Sequence, residues 1–277
     1  MEKYIVKEDG EKEIFSEKKI KKSLLLAGTE EKNANYIIGV IKENLEKVSK
    51  SNDIYKLALK QLKKKQPNAA IKYTLKKALM NMGPAGYVFE KYIAKILKEY
   101  GYKTQVGEIV KGFCVDHEID VIAHKDRGHY MIECKYHNNK GAKSAIQTAL
   151  YVYARFLDLK KANKDLREEY NFQEVWLATN TKCTSTAIRY ANCVKLRIIA
   201  WHYPKGKGLE HYIENKKLYP ISILPGLKIS QRNILFKNDI ITVKDLLGNS
   251  PQSIETLLSI NKSASDRLFT RAALIIS

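Results

Sequence analysis

The chain of 277 residues is poor in cysteine, in acidic residues and in long apolar runs. Its four cysteines form no Cys-x-x-Cys pair, which argues against cysteine zinc ligands and a disulfide framework and favours the reduced thiols of a cytoplasmic protein. No apolar run is long enough to span a bilayer, and the first residues show no signal-peptide pattern. We therefore expect no membrane partner.

Three kinds of functional motif are also missing. No His-x-x-x-His pair or Cys/His cluster supports a zinc centre. No Gly-x-x-x-x-Gly-Lys loop is present to cradle the phosphates of a hydrolysed nucleotide. Ser185 has no His/Asp partner that the sequence indicates. Zinc chemistry, Walker-type hydrolysis and serine catalysis are therefore not expected.

Basic residues outnumber acidic ones by a wide margin. Lysine and arginine total 49 against 30 aspartates and glutamates, which gives a net charge of +19. A chain this basic favours a polyanionic partner, and nucleic acid is the simplest one. The alternative is a lysine-rich proteome in which solvated faces carry lysine by default.

The most informative stretch runs from Asp116 to His137 and predicts two β-strands. The first covers about Glu118 to Ala123, where Ile and Val alternate with other residues. The second covers about Tyr130 to Tyr136 and follows a Lys-Asp-Arg-Gly turn. The two strands are therefore expected to lie side by side.

A cluster of charged side chains is predicted on these neighbouring strands. Side chains alternate across a strand, so Glu133 and Lys135 share one face while Cys134 points to the other. Asp120 comes from the adjacent strand. Two close carboxylates repel each other unless a cation joins them, and such hard oxygen ligands suit Mg²⁺. The alternative is a surface hairpin whose Glu-x-Lys is solvated.

This pattern resembles the PD-(D/E)xK nuclease superfamily, whose motif would be Asp120 followed by Glu133-Cys134-Lys135. The resemblance implies that Asp120, Glu133 and the Cys134 carbonyl hold Mg²⁺ or Mn²⁺. It also implies that Lys135 orients the attacking water and stabilises the charge that builds on the phosphoryl oxygens.

Two flanking segments agree with this resemblance. Upstream, Gly86-Tyr-Val-Phe89-Glu90 opens a predicted helix and resembles the first motif of Mrr-like restriction endonucleases. Downstream, Gln147-Thr-Ala-Leu-Tyr151 resembles the Gln-x-x-x-Tyr motif of RecB-like members. By this resemblance Glu90 holds a second ion or orients a metal-bound water, and Gln147 orients the substrate or such a water.

The order of elements from about Gly83 to Tyr203 is predicted as helix, three strands, helix, strand, helix and strand. An early strand is expected near Thr104 to Val110, and a long helix over Ala142 to Lys160. We expect Ile146, Leu150 and Tyr153 on the inward face of that helix and a line at positions 147, 151, 155 and 158 on a second face. Mixed helix and strand order predicts an α/β, restriction-endonuclease-like core with a mixed sheet.

The N-terminal segment predicts a hairpin followed by helices. Asp9-Gly10 between two short alternating runs is typical of a hairpin turn, here over Tyr4 to Phe15. Ser16 is placed to cap the helix that follows, and Gly28 to end it. Three further helices are predicted near Asn33 to Lys47, Asn52 to Lys64 and Asn68 to Asn81.

This segment resembles an ATP-cone, the small nucleotide-binding regulatory domain of ribonucleotide reductases. The resemblance rests on Val6-Lys7-x-Asp9-Gly10, Glu13-x-Phe15, Lys19-Ile20 and Ala69-Ala70-x-x-Tyr73. It implies ATP or dATP as a regulatory ligand that the chain does not hydrolyse. The residues implied to bind it are Ile5 and Ile20 at the base, Lys7 and Lys19 at the phosphates, and Ser51 as a hydroxyl donor.

One departure from the ATP-cone pattern concerns Glu8, which stands where the family usually has arginine. A carboxylate beside a triphosphate is repulsive unless a cation lies between them. We therefore expect nucleotide binding to be weak or strongly Mg²⁺-dependent, and tightened in a Glu8→Arg variant. The alternative is a plain hairpin and helical bundle.

The C-terminal segment predicts a small all-α unit. Leu224-Pro225-Gly226-Leu227 precedes four short amphipathic helices and resembles helix-hairpin-helix modules and the C-terminal domain of the RNA polymerase alpha subunit. Backbone amides at a helix start would hold a DNA phosphate without base information. A second hairpin near Ser259 lacks glycine, and the alternative is a protein-interaction bundle.

These segments predict three domains: residues 1–83, 84–205 and 220–277, with breaks at Met82–Gly86 and Pro204–Gly208. The expected function is Mg²⁺-dependent cleavage of DNA, regulated by ATP or dATP and serving restriction or defence against foreign DNA. The alternative is a nucleotide-responsive DNA-binding regulator whose nuclease fold does not cut. A homodimer or higher homo-oligomer is expected.

Overall fold

A computed structural model describes residues 3–7, 10–45, 50–83, 86–139, 141–166 and 170–276, with the side chains of 163–166 outside that description. The N-terminal elements are strands β1 Tyr4–Val6 and β2 Lys12–Ile14 and helices α1 Glu17–Leu26, α2 Glu31–Glu43, α3 Ser51–Lys65, α4 Pro67–Tyr73 and α5 Leu75–Met80.

The N-terminal hairpin and the cap of the first helix follow from the sequence. Strands β1 and β2 pair antiparallel, with Tyr4 opposite Ile14. The Ser16 hydroxyl accepts a hydrogen bond from the Lys19 amide and so satisfies a free donor of α1. Helices α1 to α4 enclose a core of their own, whose fully buried members include Leu24, Ile37, Ile41, Ala58 and Leu62.

The single helix expected over Asn68 to Asn81 is two helices. Helix α4 ends at Tyr73 and α5 begins at Leu75; between them lies Thr74, whose hydroxyl donates to the Ile71 carbonyl at 2.6 Å. A threonine hydroxyl that bonds back to the preceding turn competes with the helical ladder. The helical pattern of the sequence did not show this break.

The central elements form one mixed sheet between helices. They are α6 Tyr87–Glu99, β3 Lys103–Lys111, β4 Asp116–Lys125, β5 Gly128–Lys135, β6 Lys143–Ser144, α7 Ile146–Leu166, β7 Phe172–Thr179, β8 Lys182–Cys183, α8 Ser185–Val194 and β9 Arg197–Ile199. The sheet order is β3-β4-β5-β7-β9, antiparallel as far as β5 and parallel beyond it. Helix α6 packs on β3, β4 and β5, while α7 contacts β7 and α8. The predicted mixed α/β core is confirmed.

The long helix of this domain departs from its prediction in two ways. It starts at Ile146 instead of Ala142, because Lys143 and Ser144 form β6 and pair with β8. Its inward face also differs, since Leu150 is 44% exposed. Among the described side chains of α7, those that are buried are Ala149, Val152, Phe156, Leu159 and Ala162. The inward face is formed by small, aliphatic and aromatic residues at helical spacing. The predicted inward residues, Ile146, Leu150 and Tyr153, are not among the buried ones.

The C-terminal part begins with a helix that the sequence did not predict. Helix α9 Leu209–Asn215 lies in the stretch between the predicted second and third domains, and Leu209 and Ile213 are fully buried. A 3-10 helix Ile221–Ile223 and helices α10 Ile229–Lys237, α11 Val243–Leu247, α12 Pro251–Leu258 and α13 Lys262–Ile276 follow. Across the described ranges, no helix combines the length and apolar character needed to cross a membrane.

One hydrophobic core joins the central and C-terminal parts. It runs from Leu75 on α5 through Phe89 and Tyr92 on α6 to Ile275 on α13. The Tyr92 hydroxyl, fully buried, donates to the Leu218 carbonyl at 2.7 Å. The C-terminal helices thus extend the core on the α6 side of the sheet, and the division into three domains stays a prediction.

Candidate active site

The two predicted carboxylates meet where β4 and β5 lie side by side. The antiparallel register pairs Val121 with Ile132, so Asp120 and Glu133 are the next residues in the same register. The Cys134 amide donates to the Asp120 carboxylate at 2.6 Å. Strand pairing, together with this hydrogen bond, holds Asp120 beside the end of β5.

An arginine that the sequence reasoning did not select holds the second carboxylate. Arg155 of α7 donates from Nη1 to Glu133 Oε2 and from Nη2 to the Glu118 carbonyl. Both side chains of the Arg155–Glu133 pair are largely buried, with 10% and 15% exposed. The predicted line at 147, 151, 155 and 158 was the signal for it, since two of its members, Arg155 and Asp158, contact residues of β4.

The acidic residues of this site raise one another's pKa. Burial raises the pKa of Glu133 to about 7, with a further increase from Asp120 that Arg155 opposes. Burial likewise raises the pKa of Glu90 to about 7, helped by the charges of Asp120, Glu118 and Glu133. Burial also raises the pKa of Asp120, against the Cys134 hydrogen bond and Arg155. The structure therefore brings Glu90 into the same electrostatic cluster as the strand carboxylates.

The remaining predicted residues take different positions around this cluster. Lys135 is exposed at the end of β5, where its charge lowers the pKa of both strand carboxylates. The Cys134 thiol is buried on the opposite face, and burial holds its pKa well above the ordinary value. Because the N–H and C=O of a residue lie on the same edge of an extended strand, the Cys134 carbonyl faces the edge where Asp120 lies. Gln147 is exposed on the first turn of α7, about two turns before Arg155.

A polar network fixes the chain after Lys135 and was also missed from the sequence. The fully buried Asn180 side chain accepts from the His137 amide at 2.9 Å and donates to its carbonyl at 2.7 Å. The His137 ring bonds the buried Ser144 hydroxyl at 3.1 Å. Burial and the nearby Lys135 charge lower the pKa of His137. This network anchors the end of β5 to β6 and β7.

The oxygen donors around Asp120 and Glu133 are of the kind that holds a divalent metal. In the part of the chain that the structure describes, no three His, Cys, Asp or Glu side chains are grouped as a metal site. Asp120, Glu133 and the Cys134 carbonyl offer two carboxylates and one backbone oxygen instead. Burial raises the pKa of both carboxylates even though Arg155 and Lys135 oppose it, so a further cation would stabilise their ionised forms, and oxygen ligands are those that Mg²⁺ and Mn²⁺ prefer. These residues fit such an ion.

Four of the five predicted nucleotide residues line one cavity of about 190 Å³ in the N-terminal part, namely Ile5, Lys19, Ile20 and Ser51. Tyr55 and Tyr73 also line it, with their rings stacked at 5.3 Å between centroids.

The two lysines of this predicted site are already paired. Glu13 lies between them, 2.7 Å from the Lys7 ammonium and 2.5 Å from the Lys19 ammonium. Lys7 does not line the cavity. Glu8, on which the expected weakness of binding depends, lies outside the described residues.

Fold and site together define a restriction-endonuclease-like α/β domain, with a carboxylate in one strand beside a carboxylate and a lysine at the end of the next. Residues 81–205 match the family model Mrr_cat, described as "Restriction endonuclease". Residues 81–205 therefore form a domain of this restriction-endonuclease family, and such a domain implies DNA as its substrate.

The chain is also similar to two proteins whose functions are undetermined. An uncharacterized protein of Archaeoglobus fulgidus is 43% identical over 132 residues, which cover 48% of this chain and 71% of that protein. The crystal structure of a protein of unknown function, AF1548, is 32% identical with a TM-score of 0.58 and matches 69% of this chain and 98% of its own. The structural likeness therefore extends beyond residues 81–205.

Proposed function

We propose that the chain is a DNA endonuclease that hydrolyses phosphodiester bonds with Mg²⁺ or Mn²⁺. The observation that carries this proposal is the meeting of Asp120, in the middle of β4, with Glu133 and Lys135 at the end of the adjacent strand β5. The raised pKa of both carboxylates supports it, because a bound cation would stabilise the ionised forms that burial disfavours.

Each residue at the strand ends has a distinct part in this proposal. Asp120, Glu133 and the Cys134 carbonyl would hold the ion, whose chemistry is Lewis-acid activation of water and of the phosphoryl group. Lys135, exposed at the same edge, orients the attacking water and stabilises charge on the phosphoryl oxygens. Glu90, with a pKa of about 7, exchanges a proton readily near neutral pH and orients a water beside Asp120.

Arg155 acts as a positioning residue for Glu133. Its guanidinium bridges Glu133 and the Glu118 carbonyl, so it ties one carboxylate to the neighbouring strand. A fork of donors fixed in one plane gives this contact both charge and direction. Gln147 on the first turn of the same helix is proposed to contact the substrate.

We further propose that ATP or dATP regulates the chain through the N-terminal cavity. The convergence of Ile5, Lys19, Ile20 and Ser51 on one cavity supports this. At about 190 Å³ the cavity is smaller than the roughly 300–1,000 Å³ of typical small-molecule sites, so it would take the base and leave the phosphates outside. Glu13 would then have to release Lys7 and Lys19 to the phosphates.

The proposal extends to DNA binding outside the active site, to assembly and to a biological role. The net charge of +19 and the C-terminal helices are proposed to bind the DNA backbone, in a homodimer or higher assembly that serves restriction or defence. The alternative is a nucleotide-responsive DNA-binding regulator. In that case the same residues would contact DNA, but no phosphodiester bond would be hydrolysed.

Incubation of purified protein with supercoiled plasmid tests the proposal. Nicked and linear products should form with Mg²⁺ or Mn²⁺ and be absent with EDTA, and ATP or dATP should change the rate. DNA binding by gel shift with no product under any of these metals would favour the non-cleaving regulator instead.

A further inference from the structure

The turn between β3 and β4 presents an apolar tip to solvent. This tip, residues 112–115, carries Phe113, which is 43% exposed, and Val115, which is 60% exposed. Exposure of apolar side chains to water is unfavourable in free energy. A group of exposed apolar side chains near a candidate active site is therefore a candidate binding surface. The exposure of Phe113 and Val115 is not explained by packing within the fold.

Hydrogen bonds to one aspartate fix the shape of this tip. The Asp158 carboxylate of α7 accepts from the Cys114 amide at 2.9 Å and lies 2.8 Å from the His117 ring nitrogen. The Phe113 amide donates to the Asp158 carbonyl at 3.3 Å. A Cβ at Gly112 would clash with the Asp158 carboxylate and the Val115 carbonyl, so the turn needs glycine there. The tip is thus held in place before any partner arrives.

The tip stands next to the catalytic edge of the sheet. Asp158, which holds the tip, and Arg155, which holds Glu133, are three residues apart on α7, a separation of roughly 4.5 Å along the axis. Strand β4 also runs from the end of the tip at Asp116 directly to Asp120. The tip therefore lies roughly 13 Å along β4 from the carboxylates, within reach of a DNA duplex bound there.

The charges around the tip favour a nucleic acid over a second copy of the chain. The Lys161 ammonium lies 3.7 Å from the centre of the Phe113 ring, and Lys111 is exposed just before the tip. Two acids adjoin the tip: Asp116, exposed at the start of β4, and Asp158, whose largely buried carboxylate is already bonded to the Cys114 amide and the His117 ring. Cations beside an apolar side chain suit a partner that offers phosphates and bases together. An apolar contact between two copies would bring these lysines together and repel.

We propose that Phe113 and Val115 form a wedge that enters a groove of DNA and packs against the bases beside the phosphodiester bond that is cut. The proposal rests on the nuclease function proposed above and adds to it the element that grips the substrate. The carboxylates of the active site repel phosphates, so an apolar anchor adds affinity that does not depend on charge. Lys161 contacts a phosphate flanking the wedged step.

The test compares full-length variants on duplex DNA that carries 2-aminopurine at several positions, in Ca²⁺ so that cleavage is not required. Wild type should raise the 2-aminopurine emission, because a wedge unstacks bases. Phe113→Ala should remove most of that rise and weaken binding roughly tenfold, the size of one lost stacking contact. Phe113→Leu should restore both in part, because it keeps a wedge.

Salt dependence separates the two kinds of contact at the tip. Phe113→Ala should leave the slope of log affinity against log salt unchanged, because it removes no phosphate contact. Lys161→Ala should reduce that slope by about 1. Leu26→Ala, a substitution of similar exposure far from the sheet, is the matched control and should bind as wild type.

Three results would overturn the wedge. Unchanged affinity and emission in Phe113→Ala, while wild type still nicks plasmid, would reject it and leave the nuclease proposal standing. Conversion of a dimer to a monomer in Phe113→Ala by sedimentation, with unchanged DNA affinity, would make the tip a contact between copies. Absence of both DNA binding and cleavage in wild type would overturn the wedge and the nuclease function together.

Discussion

Glu133 shows how its neighbours set the chemistry of one side chain. Burial and Asp120 push its pKa up to about 7, while Arg155 pulls it down. A carboxyl group with so high a pKa is ionised only in part near neutral pH, and a cation bound beside it would favour the ionised form. The Arg155 guanidinium therefore decides over which pH range Glu133 is available.

Replacing Arg155 by alanine should make cleavage more dependent on pH. The pKa of Glu133 would rise further above 7, because the largest opposing charge is gone, so less of the carboxylate is ionised at a given pH. We expect plasmid nicking to fall by roughly 10–100-fold at pH 7, as for other residues that orient a ligand, and the defect to shrink towards pH 9. Initial rates across that range measure it.

The control for this prediction is Arg189→Ala, which removes an exposed arginine from α8. It should keep the wild-type rate and pH profile. A uniform loss of rate in Arg155→Ala at every pH would show that Arg155 supports the fold without tuning Glu133. Arg155→Lys should recover part of the rate, since lysine keeps the charge but not the fork of donors.

At the residue scale the sequence predicted the acids better than their partners. Alternation along a strand was enough to place Glu133 and Lys135 together, and strand pairing brought Asp120 next to them. Arg155 and Asn180 were missed because their contacts join residues 22 and 43 positions apart. No periodic pattern records such a pairing.

At the scale of elements, the N-terminal hairpin and helices bring residues that are far apart in the sequence to one cavity. The N-terminal hairpin and helix α1 bring Ile5 and Ile20 to one cavity, and the start of α3 adds Ser51. The same packing places Glu13 between Lys7 and Lys19, where both ammonium groups lower its pKa. A nucleotide at this site must compete with Glu13 for the lysines.

Glu13→Gln should therefore tighten the binding of ATP and dATP. Removing the carboxylate frees two cations for the phosphates and removes one repulsive charge. A gain of roughly 1 kcal/mol is expected, because the pair is partly exposed and screened by solvent. Lys19→Ala should weaken binding by a similar amount, and isothermal titration calorimetry with Mg²⁺ present measures both.

The matched control is Glu17→Gln, which removes an exposed carboxylate of α1 that pairs with Lys42 and does not line the cavity. It should bind nucleotide as wild type does. No heat from either nucleotide at millimolar concentration, in wild type and in Glu13→Gln alike, would leave this part of the chain as a structural element.

Element boundaries were predictable where a local signal exists. Ser16 and the Asp-Gly turn fixed the first hairpin and helix, because capping and turn chemistry act within a few residues. The start of α7 was wrong because β6 exists only through pairing with β8, some 40 positions away. Helix α9 was missed for the same reason, since its buried face depends on α6.

At the scale of the whole molecule, the C-terminal helices and the nuclease-like sheet share one core. Deletion from Pro220 onward would expose that core, so such a truncation would test folding and not DNA affinity. Surface substitutions are the suitable probes of the C-terminal helices. Lys72 of α4 also lies near Glu214 of α9, which links the N-terminal helices to the shared core.

Glu214 should make the whole fold less stable as the pH rises. Burial and Glu210 raise its folded pKa to about 7 from 4.5, so the stability is complete below pH 4.5 and is lost as the pH rises through 7. Glu214→Gln removes this cost. Its free energy of unfolding should exceed that of wild type by roughly 1–3 kcal/mol at pH 8 and differ little at pH 4.5.

Urea unfolding at the two pH values measures this effect. The exposed Glu99→Gln on α6 is the control and should change the free energy of unfolding by less than about 0.5 kcal/mol at either pH. A Glu214→Gln variant that is less stable than wild type at pH 8 would contradict the sign, and would show that the ionised carboxylate holds a favourable partner.

The most direct test of the central claim compares two aspartates of β4 in the plasmid nicking assay with Mg²⁺. Asp120 lies against Cys134 at the site, and Asp116 is exposed at the start of the same strand, so the asparagine variants lose the same charge. Asp120→Asn should cut at least ~100-fold more slowly while binding DNA normally, and Asp116→Asn should cut near the wild-type rate. Wild-type cleavage by Asp120→Asn would contradict the assignment of the active site.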